Sequence, residues 1–144
     1  EPIVAALTEV CDEVFADDPR IVSTDTLHHL GTNVAGTLTG NTVPSALHLA
    51  QLLHPTPAIG GAPTAAALRA IDDLEEDRGP LTGVVGWVDG DGDGEFAIAI
   101  RAGILDGDRL RLYAGAGIVA GSDPDAEVRE TGAKLRTMLK AVGL

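Results

Sequence analysis

Two carboxylates and a lysine near the C-terminal end of the chain have helical spacing. Glu127 and Glu130 are three residues apart, and Lys134 follows Glu130 by four residues. At this spacing the three side chains project from one face of a helix. Paired carboxylates can hold a hard cation such as Mg²⁺, which takes few protein carboxylates and keeps water or substrate oxygens in its other positions. The alternative is a solvated surface pair of Glu130 with Lys134, which is a common feature of helices.

Further polar and glycine residues have types that suit an anionic ligand. Gly115 and Gly117 precede that helix and would let backbone N–H groups approach an anion closely. Arg101 follows the apolar run EFAIAI, where it is either a strand-end group for bidentate carboxylate binding or an exposed charge. His28 and His29 are adjacent on a predicted strand and therefore point to opposite faces. A single histidine is more often structural than catalytic, so both roles stay open.

The stretch VDGDGDGEF begins like a calcium-binding EF-hand loop, because Asp89, Asp91 and Asp93 alternate with glycines. An EF-hand closes on a bidentate Glu at the twelfth position, and counting from Asp89 that position is Ile100. The flanking runs TGVVGWV and EFAIAI are typical of strands rather than helices. The pattern therefore predicts a hairpin turn on the surface that binds no calcium tightly.

Helices are predicted at the N-terminus and in the middle of the chain. From Ile3 to Phe15 apolar residues recur every three or four positions, which predicts an amphipathic helix ending near Pro19. The segments PSALHLAQLL and APTAAALRAIDDLEED predict two short helices that begin with Pro44 and Pro63. The Pro/Gly-rich loop HPTPAIGG lies between them.

The rest of the chain predicts strands followed by one long helix. That helix runs from Ser122 to about Val142, with Ser122 as its cap and Asp125 completing a capping box. Helices around an antiparallel meander indicate an α+β fold. The predicted strands are 28–38, 83–88, 95–102, 103–105 and 109–114.

The composition excludes several classes of partner and site. The 144 residues contain 22 acids and 10 bases, a formal charge of −12 that repels nucleic-acid phosphates and anionic lipids. Cys11 is the only cysteine, which excludes an intrachain disulfide and a thiolate zinc cluster and fits a cytoplasmic setting. No apolar run approaches the roughly 20 residues that span a bilayer. We expect a protein with no nucleic-acid or membrane partner.

Four segments, in this order and spacing, resemble the C-terminal region of the chorismate-utilising enzymes, most closely the isochorismate synthases. They are HHLGTNVAGTL, LLHPTPAIGGAP, DRGPLTGVVGWVDGDGDGEFAIAIR and LYAGAGIVAGSDPDAEVRETGAKL. The resemblance implies that residues 1–144 form the C-terminal portion of a chorismate-binding domain. It also implies a four-layer α/β/β/α fold with orthogonally packed antiparallel sheets, completed by an N-terminal region as partner.

The resemblance implies roles for individual residues. Glu130 corresponds to the direct Mg²⁺ ligand, and Glu127 to a neighbour that holds the metal through water. Arg101 corresponds to the arginine that grips the enolpyruvyl carboxylate of chorismate. The pocket lining is implied to include Ala58, Tyr113, Gly115 and Lys134, and the catalytic positions His29 and Lys134.

The reaction implied is that of an isomerase: Mg²⁺-dependent addition of water to one ring carbon of chorismate as the hydroxyl leaves from another. Ala58 stands where relatives that continue to salicylate commonly carry Thr, which favours simple isomerisation. Anthranilate, aminodeoxychorismate or salicylate synthase activity, or a non-catalytic fragment, are the alternatives. The family's catalytic base and acid belong to upstream segments, so we expect this chain alone to be inactive. Leu81 stands where many relatives have Tyr or Phe against the enolpyruvyl group, which implies that this contact is weaker or differently filled. Siderophore and menaquinone pathways both stay open.

Overall fold

The computed structural model describes residues 2–23, 28–40 and 43–144. The chain divides into unit 1, Glu1–Leu53 with Val88–Gly94, and unit 2, His54–Trp87 with Glu95–Leu144. Helices together with antiparallel strand pairs confirm the α+β class. The helices are α1 (Pro2–Leu7), α2 (Ala46–Leu53), α3 (Pro57–Gly60), α4 (Thr64–Leu74) and α5 (Pro124–Ala141). The strands are β1 (Cys11–Ala16), β2 (Arg20–Ser23), β3 (His28–Gly31), β4 (Val34–Leu38), β5 (Val84–Val88), β6 (Gly94–Ile98), β7 (Ala102–Asp106) and β8 (Arg109–Tyr113).

The predicted N-terminal helix is wrong beyond its first turns. Helix α1 ends at Leu7, and the residues that continue its apolar pattern form β1, which pairs antiparallel with β4. Local periodicity favours a helix here, but a partner strand far along the chain supplies the backbone hydrogen bonds instead. The ladder extends past its end, since the Thr39 N–H donates to the Val10 carbonyl at 3.1 Å. Pairing with a strand that is distant in the sequence therefore makes residues 11–16 a strand rather than a helix.

The predicted strand 28–38 is two strands that belong to different sheets. β3 pairs with β2, and β4 pairs with β1. Asn33 lies at the break between them and makes two hydrogen bonds to Asp17. Its side-chain amide donates to an Asp17 carboxylate oxygen at 3.0 Å, and its backbone carbonyl accepts from the Asp17 N–H at 2.9 Å. Asn33, which lies between β3 and β4, is thus hydrogen-bonded to the turn between β1 and β2.

The two central helices are confirmed, and each begins close to its predicted proline. α2 starts two residues after Pro44, and α4 starts directly after Pro63, whose fixed φ of −64° suits a helix entry. α4 ends at Leu74, before the acidic run that the prediction included. The Pro/Gly loop between the helices contains the short helix α3.

The aspartate and glycine stretch forms the turn of the β5–β6 hairpin, as predicted. One carboxylate oxygen of Asp89 accepts from the backbone N–H groups of Asp91 and Asp93, each at 3.0 Å. Gly92 has a φ of +91°, which an L residue rarely adopts. The Gly92 carbonyl accepts from the Ala46 N–H at 2.8 Å, at the start of α2. The alternation thus supplies the hydrogen bonds and backbone freedom that this turn requires.

The apolar residues of the β5–β6 hairpin lie on two faces. Val85 and Trp87 share one face by alternation, and they are 64% and 58% exposed. A side chain added at Gly86 would meet the ring of Phe96, so Phe96 lies on the opposite face, with Ile98. Apolar side chains are exposed on both faces, since Ile98 is 37% exposed, but those of Val85 and Trp87 are the most exposed.

The C-terminal helix is confirmed, but its predicted cap is wrong. The side chain of Asp123, not Ser122, accepts a backbone N–H of the first turn at 2.8 Å. Pro124 occupies the first helical position, where its missing N–H costs nothing, and the capping side chain directly precedes it. The Ser122 hydroxyl accepts instead from a backbone N–H of the preceding turn at 3.1 Å, so Asp125 completes no capping box with it.

Little apolar surface is enclosed within the part of the chain that the structure describes. There, Cys11 at 7% exposure is the only buried hydrophobic side chain. Large apolar side chains are exposed in both units, among them Phe15, Ile21, Leu30, Val85, Trp87 and Leu105. In the same residues, no helix combines the length and apolar character needed to cross a bilayer.

Candidate functional site

One face of α5 is less exposed than the rest of the helix, and it carries candidate site residues. Its half-buried positions recur at helical spacing, and α5 packs against β8. Glu127 belongs to this face, whereas Glu130 lies beside it and is exposed. The two carboxylates, three residues apart on one helix, therefore differ in their exposure to solvent. The half-buried positions of α5 are Glu127, Thr131, Gly132, Lys134, Leu135, Met138 and Leu139.

Lys134 joins α5 to the glycine segment that follows β8. Its ammonium lies 2.6 Å from an oxygen of Glu130 and donates to the carbonyl of Gly115 at 2.8 Å. The Lys134 side chain is only 25% exposed, whereas that of Glu130 is 53% exposed. A solvated surface pair would not include the second bond to a backbone carbonyl nineteen positions away. The lysine thus ties together three of the candidate residues.

Glu127 and Glu130 are suitable donors for Mg²⁺. Both are carboxylates, the hard oxygen ligands that this ion prefers, and the ion commonly takes only one or two of them from a protein. Among the described residues, no group of three or more His, Cys, Asp or Glu side chains gathers as a metal site. A Mg²⁺ ion held by Glu127 and Glu130 would take other oxygens, such as those of water or substrate, in its remaining positions.

Tyr113 and Gly115 lie close to residues of the segment that follows α4, namely Gly79 and Leu81. Tyr113 ends β8, opposite Ala102, and is half-buried. A methyl group built on Gly79 would lie 3.2 Å from the Tyr113 hydroxyl, and one built on Gly115 would lie 3.7 Å from a methyl of Leu81. Leu81 thus fills space beside the glycine. Sequence reasoning did not select Gly79, although a glycine before a proline indicates a turn.

Arg101 does not end a strand, so that prediction is wrong. β6 stops at Ile98, where the Ile100 N–H folds back to the Ile98 carbonyl at 2.9 Å. Arg101 follows with a φ of +53°, in the left-handed region that non-glycine residues seldom adopt. It is half-buried, and in the described part of the chain no acidic side chain forms an ion pair with it. Such backbone strain is typical of functional sites.

Ala58 lies in α3 and is exposed. The carbonyl of the next residue, Ile59, accepts from Arg78 at 3.4 Å. Arg78 also donates two hydrogen bonds of 2.6 Å to the carboxylate of Glu75. The hydrogen bonds between Arg78 and Glu75 lower the pKa of Glu75 and raise the pKa of Arg78. The bidentate ion pair thus holds Arg78 against the end of α4, and the hydrogen bond to Ile59 joins this segment to the helix that carries Ala58.

His29 belongs to unit 1, whereas all the other candidate residues belong to unit 2. It lies in β3 opposite Val22 and is exposed. Its neighbour His28 shares a hydrogen bond of 2.8 Å with the Ser23 hydroxyl through Nδ1. Within unit 2 the structure brings together Lys134, Glu130 and Gly115 by direct contact.

Comparisons with known proteins give a consistent result. The family model "Chorismate binding enzyme" matches residues 1–143. Isochorismate synthase DhbC of Bacillus subtilis is 47% identical over 146 residues, which cover all of this chain and 36% of that protein. Isochorismate synthase EntC of Escherichia coli is 45% identical over 150 residues, which cover all of this chain and 38% of that protein.

Solved structures share the fold. The crystal structure of DhbC from Bacillus anthracis matches with a TM-score of 0.93 at 45% identity, covering 99% of this chain and 38% of that one. MenF, the menaquinone-specific isochorismate synthase of Escherichia coli, matches with a TM-score of 0.80 at 29% identity, covering 96% of this chain and 32% of that one. The chain thus spans less than two-fifths of the length of these relatives. On the family match, the chain belongs to the chorismate binding enzymes.

Proposed function

We propose that this chain forms part of the active site of an isochorismate synthase, an isomerase that converts chorismate to isochorismate. The structural observation that carries the proposal is the Lys134 ammonium between the Glu130 carboxylate and the Gly115 carbonyl. This contact places a candidate metal ligand, a cation and a glycine segment at one point. Identities of 45% and 47% to isochorismate synthases support the same reaction.

The proposed substrate is a dianion, which a chain of formal charge −12 repels at long range. Binding therefore needs local cations. Lys134 has three donors, of which two are used within the chain, so one is left for a substrate carboxylate. Arg101 offers a planar fork that matches a second carboxylate. The two side chains would hold the substrate in one orientation.

Mg²⁺ is the cofactor we propose, with Glu130 as its direct ligand and Glu127 acting through water. When bound, the ion would neutralise a substrate carboxylate and add to the local positive charge. Glu127 suits the indirect role because it lies on the packed face of α5, whereas Glu130 is exposed at the side of that face.

The reaction is the addition of water to one ring carbon while the hydroxyl at another leaves with a proton, with no redox change. By resemblance, the base that activates the water and the acid that protonates the leaving group lie outside these 144 residues. We therefore propose an N-terminal region as the partner that completes the site. The relatives extend well beyond the matched segment, which supports this requirement.

The exposed apolar side chains support the same partner. The face of β5–β6 that carries Val85 and Trp87 would be covered by strands of the N-terminal region, giving the four-layer architecture with orthogonal sheets. Contiguous apolar surface on a protein usually marks an interface. Residues 1–144 would then be the C-terminal portion of a single chorismate-binding domain.

Product analysis in ¹⁸O-labelled water tests the proposed reaction. The full-length protein that contains these residues is incubated with chorismate and Mg²⁺. The products are then separated, and their masses are measured by mass spectrometry. We expect isochorismate that carries one ¹⁸O atom. Salicylate would indicate the lyase alternative, and anthranilate or aminodeoxychorismate formed with ammonia would indicate the amination alternatives. Unlabelled isochorismate, or no product, would contradict the proposal.

A further inference from the structure

Gly79 and Tyr113 approach each other where two separately anchored segments meet. A methyl group built on Gly79 would lie 3.2 Å from the Tyr113 hydroxyl oxygen, 3.5 Å from the ring carbon that bears it, and 3.7 Å from the next ring carbon. The first distance is a few tenths of an ångström shorter than an ordinary van der Waals contact, and the other two are ordinary. The hydroxyl is thus the atom that a side chain at position 79 would displace.

The backbone on the Gly79 side is held by hydrogen bonds and cannot easily retreat. The Gly79 N–H donates to an Asp77 carboxylate oxygen at 2.8 Å, and the Leu81 N–H donates to the Arg78 carbonyl at 3.0 Å. Arg78 is itself fixed by its bidentate pair with Glu75. Gly79 has a φ of +53°, so this tight turn also requires a residue that tolerates the left-handed region.

The backbone on the Tyr113 side is held by the β7–β8 ladder, in which Tyr113 is paired with Ala102. Tyr113 has rotatable side-chain bonds, whereas both backbones are fixed. A methyl group at position 79 would therefore be accommodated by movement of the Tyr113 ring. Tyr113 precedes by two residues the glycine whose carbonyl accepts from Lys134, so the ring and that hydrogen bond belong to one segment.

We propose that Gly79 is a positioning residue, whose lack of a side chain keeps the Tyr113 hydroxyl in place to donate a hydrogen bond to an anionic oxygen of the substrate. The inference rests on the proposed function for the identity of that substrate. The placement of the ring by Gly79 stands on the geometry of unit 2 alone. Arg78, Asp77 and Gly79 then act together: the first two fix the turn, and the third leaves room for the hydroxyl.

The matched control is Gly107, which has a φ of +59° and no atom within 4 Å of a built methyl group. Gly79→Ala and Gly107→Ala both place alanine at positive φ, but only the first meets the Tyr113 side chain, and only the first precedes a proline, Pro80. Tyr113 is the only tyrosine of the 144 residues, and in the ¹³C-tyrosine-labelled full-length protein its ring signal is assigned as the one that disappears in Tyr113→Phe. We expect Gly79→Ala to shift this signal and Gly107→Ala to leave it unchanged. Equal signals in the two variants would overturn the proposal.

Rescue by a second substitution keeps the test decisive if Gly79→Ala lowers the unfolding temperature. Tyr113→Phe removes the one atom in close contact and leaves the ring carbons at ordinary distances. Gly79→Ala should therefore lower the unfolding temperature less in the Tyr113→Phe background than in the unmodified protein. An undiminished loss in that background would mean that the hydroxyl is not what position 79 accommodates, and would overturn the proposal.

A kinetic measurement on the full-length protein separates this inference from the proposed function. Gly79→Ala should raise the KM for chorismate about two- to tenfold, the effect of one lost hydrogen bond, while Gly107→Ala leaves KM unchanged. An unchanged KM together with a shifted tyrosine signal would overturn the role of Gly79 toward substrate. If the unmodified protein does not turn over chorismate, the proposed function fails, whereas the tyrosine signal still decides whether Gly79 holds the ring.

Discussion

The ammonium of Lys134 lies 2.6 Å from a carboxylate oxygen of Glu130, one helical turn away on α5. The same ammonium bonds to the Gly115 carbonyl, so the ion pair also fixes the glycine segment against the helix. A cation bound by Glu130 would compete with Lys134 for that carboxylate. Mg²⁺ binding at Glu130, as proposed, would therefore weaken the ion pair with Lys134.

Replacing each carboxylate separately tests the metal site. In the full-length protein, Glu127→Gln should weaken Mg²⁺ binding about tenfold, as expected for a residue that acts through water, and Glu130→Gln should weaken it more. Calorimetric titration without chorismate measures both. Asp125→Asn, an exposed change in the first turn of α5, is the control and should have no effect. Equal, small effects of the two Glu substitutions would contradict the assignment.

Removing the competing cation should have opposite effects on the two ligands. Lys134→Met frees the Glu130 carboxylate, so Mg²⁺ should bind up to about fivefold more tightly, the usual range for a partly exposed ion pair. Chorismate should bind about tenfold more weakly, because a charged hydrogen bond to it is lost. Lys140→Met, an exposed change in the last turn of α5, is the control. A parallel fall in both affinities would indicate a purely structural lysine.

Arg101 should not tolerate lysine if it binds a carboxylate through its planar fork. Arg101→Lys keeps the charge but loses the bidentate geometry, at a cost of about 1.5–3 kcal/mol, or ten- to a hundredfold in chorismate affinity. Equilibrium binding of chorismate to the full-length protein measures this. The exposed Arg109, in β8, gives the matched control Arg109→Lys. Unchanged affinity in the Arg101 variant would leave that residue an ordinary surface charge.

The pair of Glu75 and Arg78 should give a modest loss of stability in acid. Hydrogen bonds from Arg78 lower the folded-state pKa of Glu75, so its contribution is present above the unfolded pKa and is lost as pH falls through the folded value. The raised pKa of Arg78 keeps that group charged throughout the acid range. The Glu75 side chain is 45% exposed, which limits the effect to about 1 kcal/mol or less.

Chemical denaturation from neutral to acidic pH checks this contribution. The difference in unfolding free energy between the unmodified chain and Glu75→Gln should shrink as pH falls. A difference that stays constant with pH would show that ionisation of Glu75 does not contribute to stability.

The sequence predicted the helices and turns whose signals are local. Pro44 and Pro63 correctly indicated helix starts, and the spacing of Glu130 and Lys134 correctly predicted that their side chains meet one helical turn apart. The Asp and Gly run correctly predicted a hairpin, because the required hydrogen bonds lie within the turn itself. In each case the chemistry that fixes the structure is within a few residues.

Features that depend on distant partners could not be predicted in this way. Residues 11–16 continue a helical pattern but pair with residues 34–38, which no local period reveals. The bond from Lys134 to Gly115 and the approach of Tyr113 to Gly79 each join separate segments. Arg101 was expected at a strand end, but a tight turn before it gives a positive φ. These contacts, rather than the residue types, define the arrangement of the candidate site.

We propose that these residues supply the metal-binding and carboxylate-binding part of an isochorismate synthase and need a further region for turnover. The most direct measurement is isochorismate formation from chorismate and Mg²⁺ by two purified, sequence-verified proteins: the 144-residue chain and the full-length protein that contains it. We predict isochorismate from the full-length protein and none from the 144 residues alone. Turnover by the 144-residue chain, or none by the full-length protein, would contradict the account.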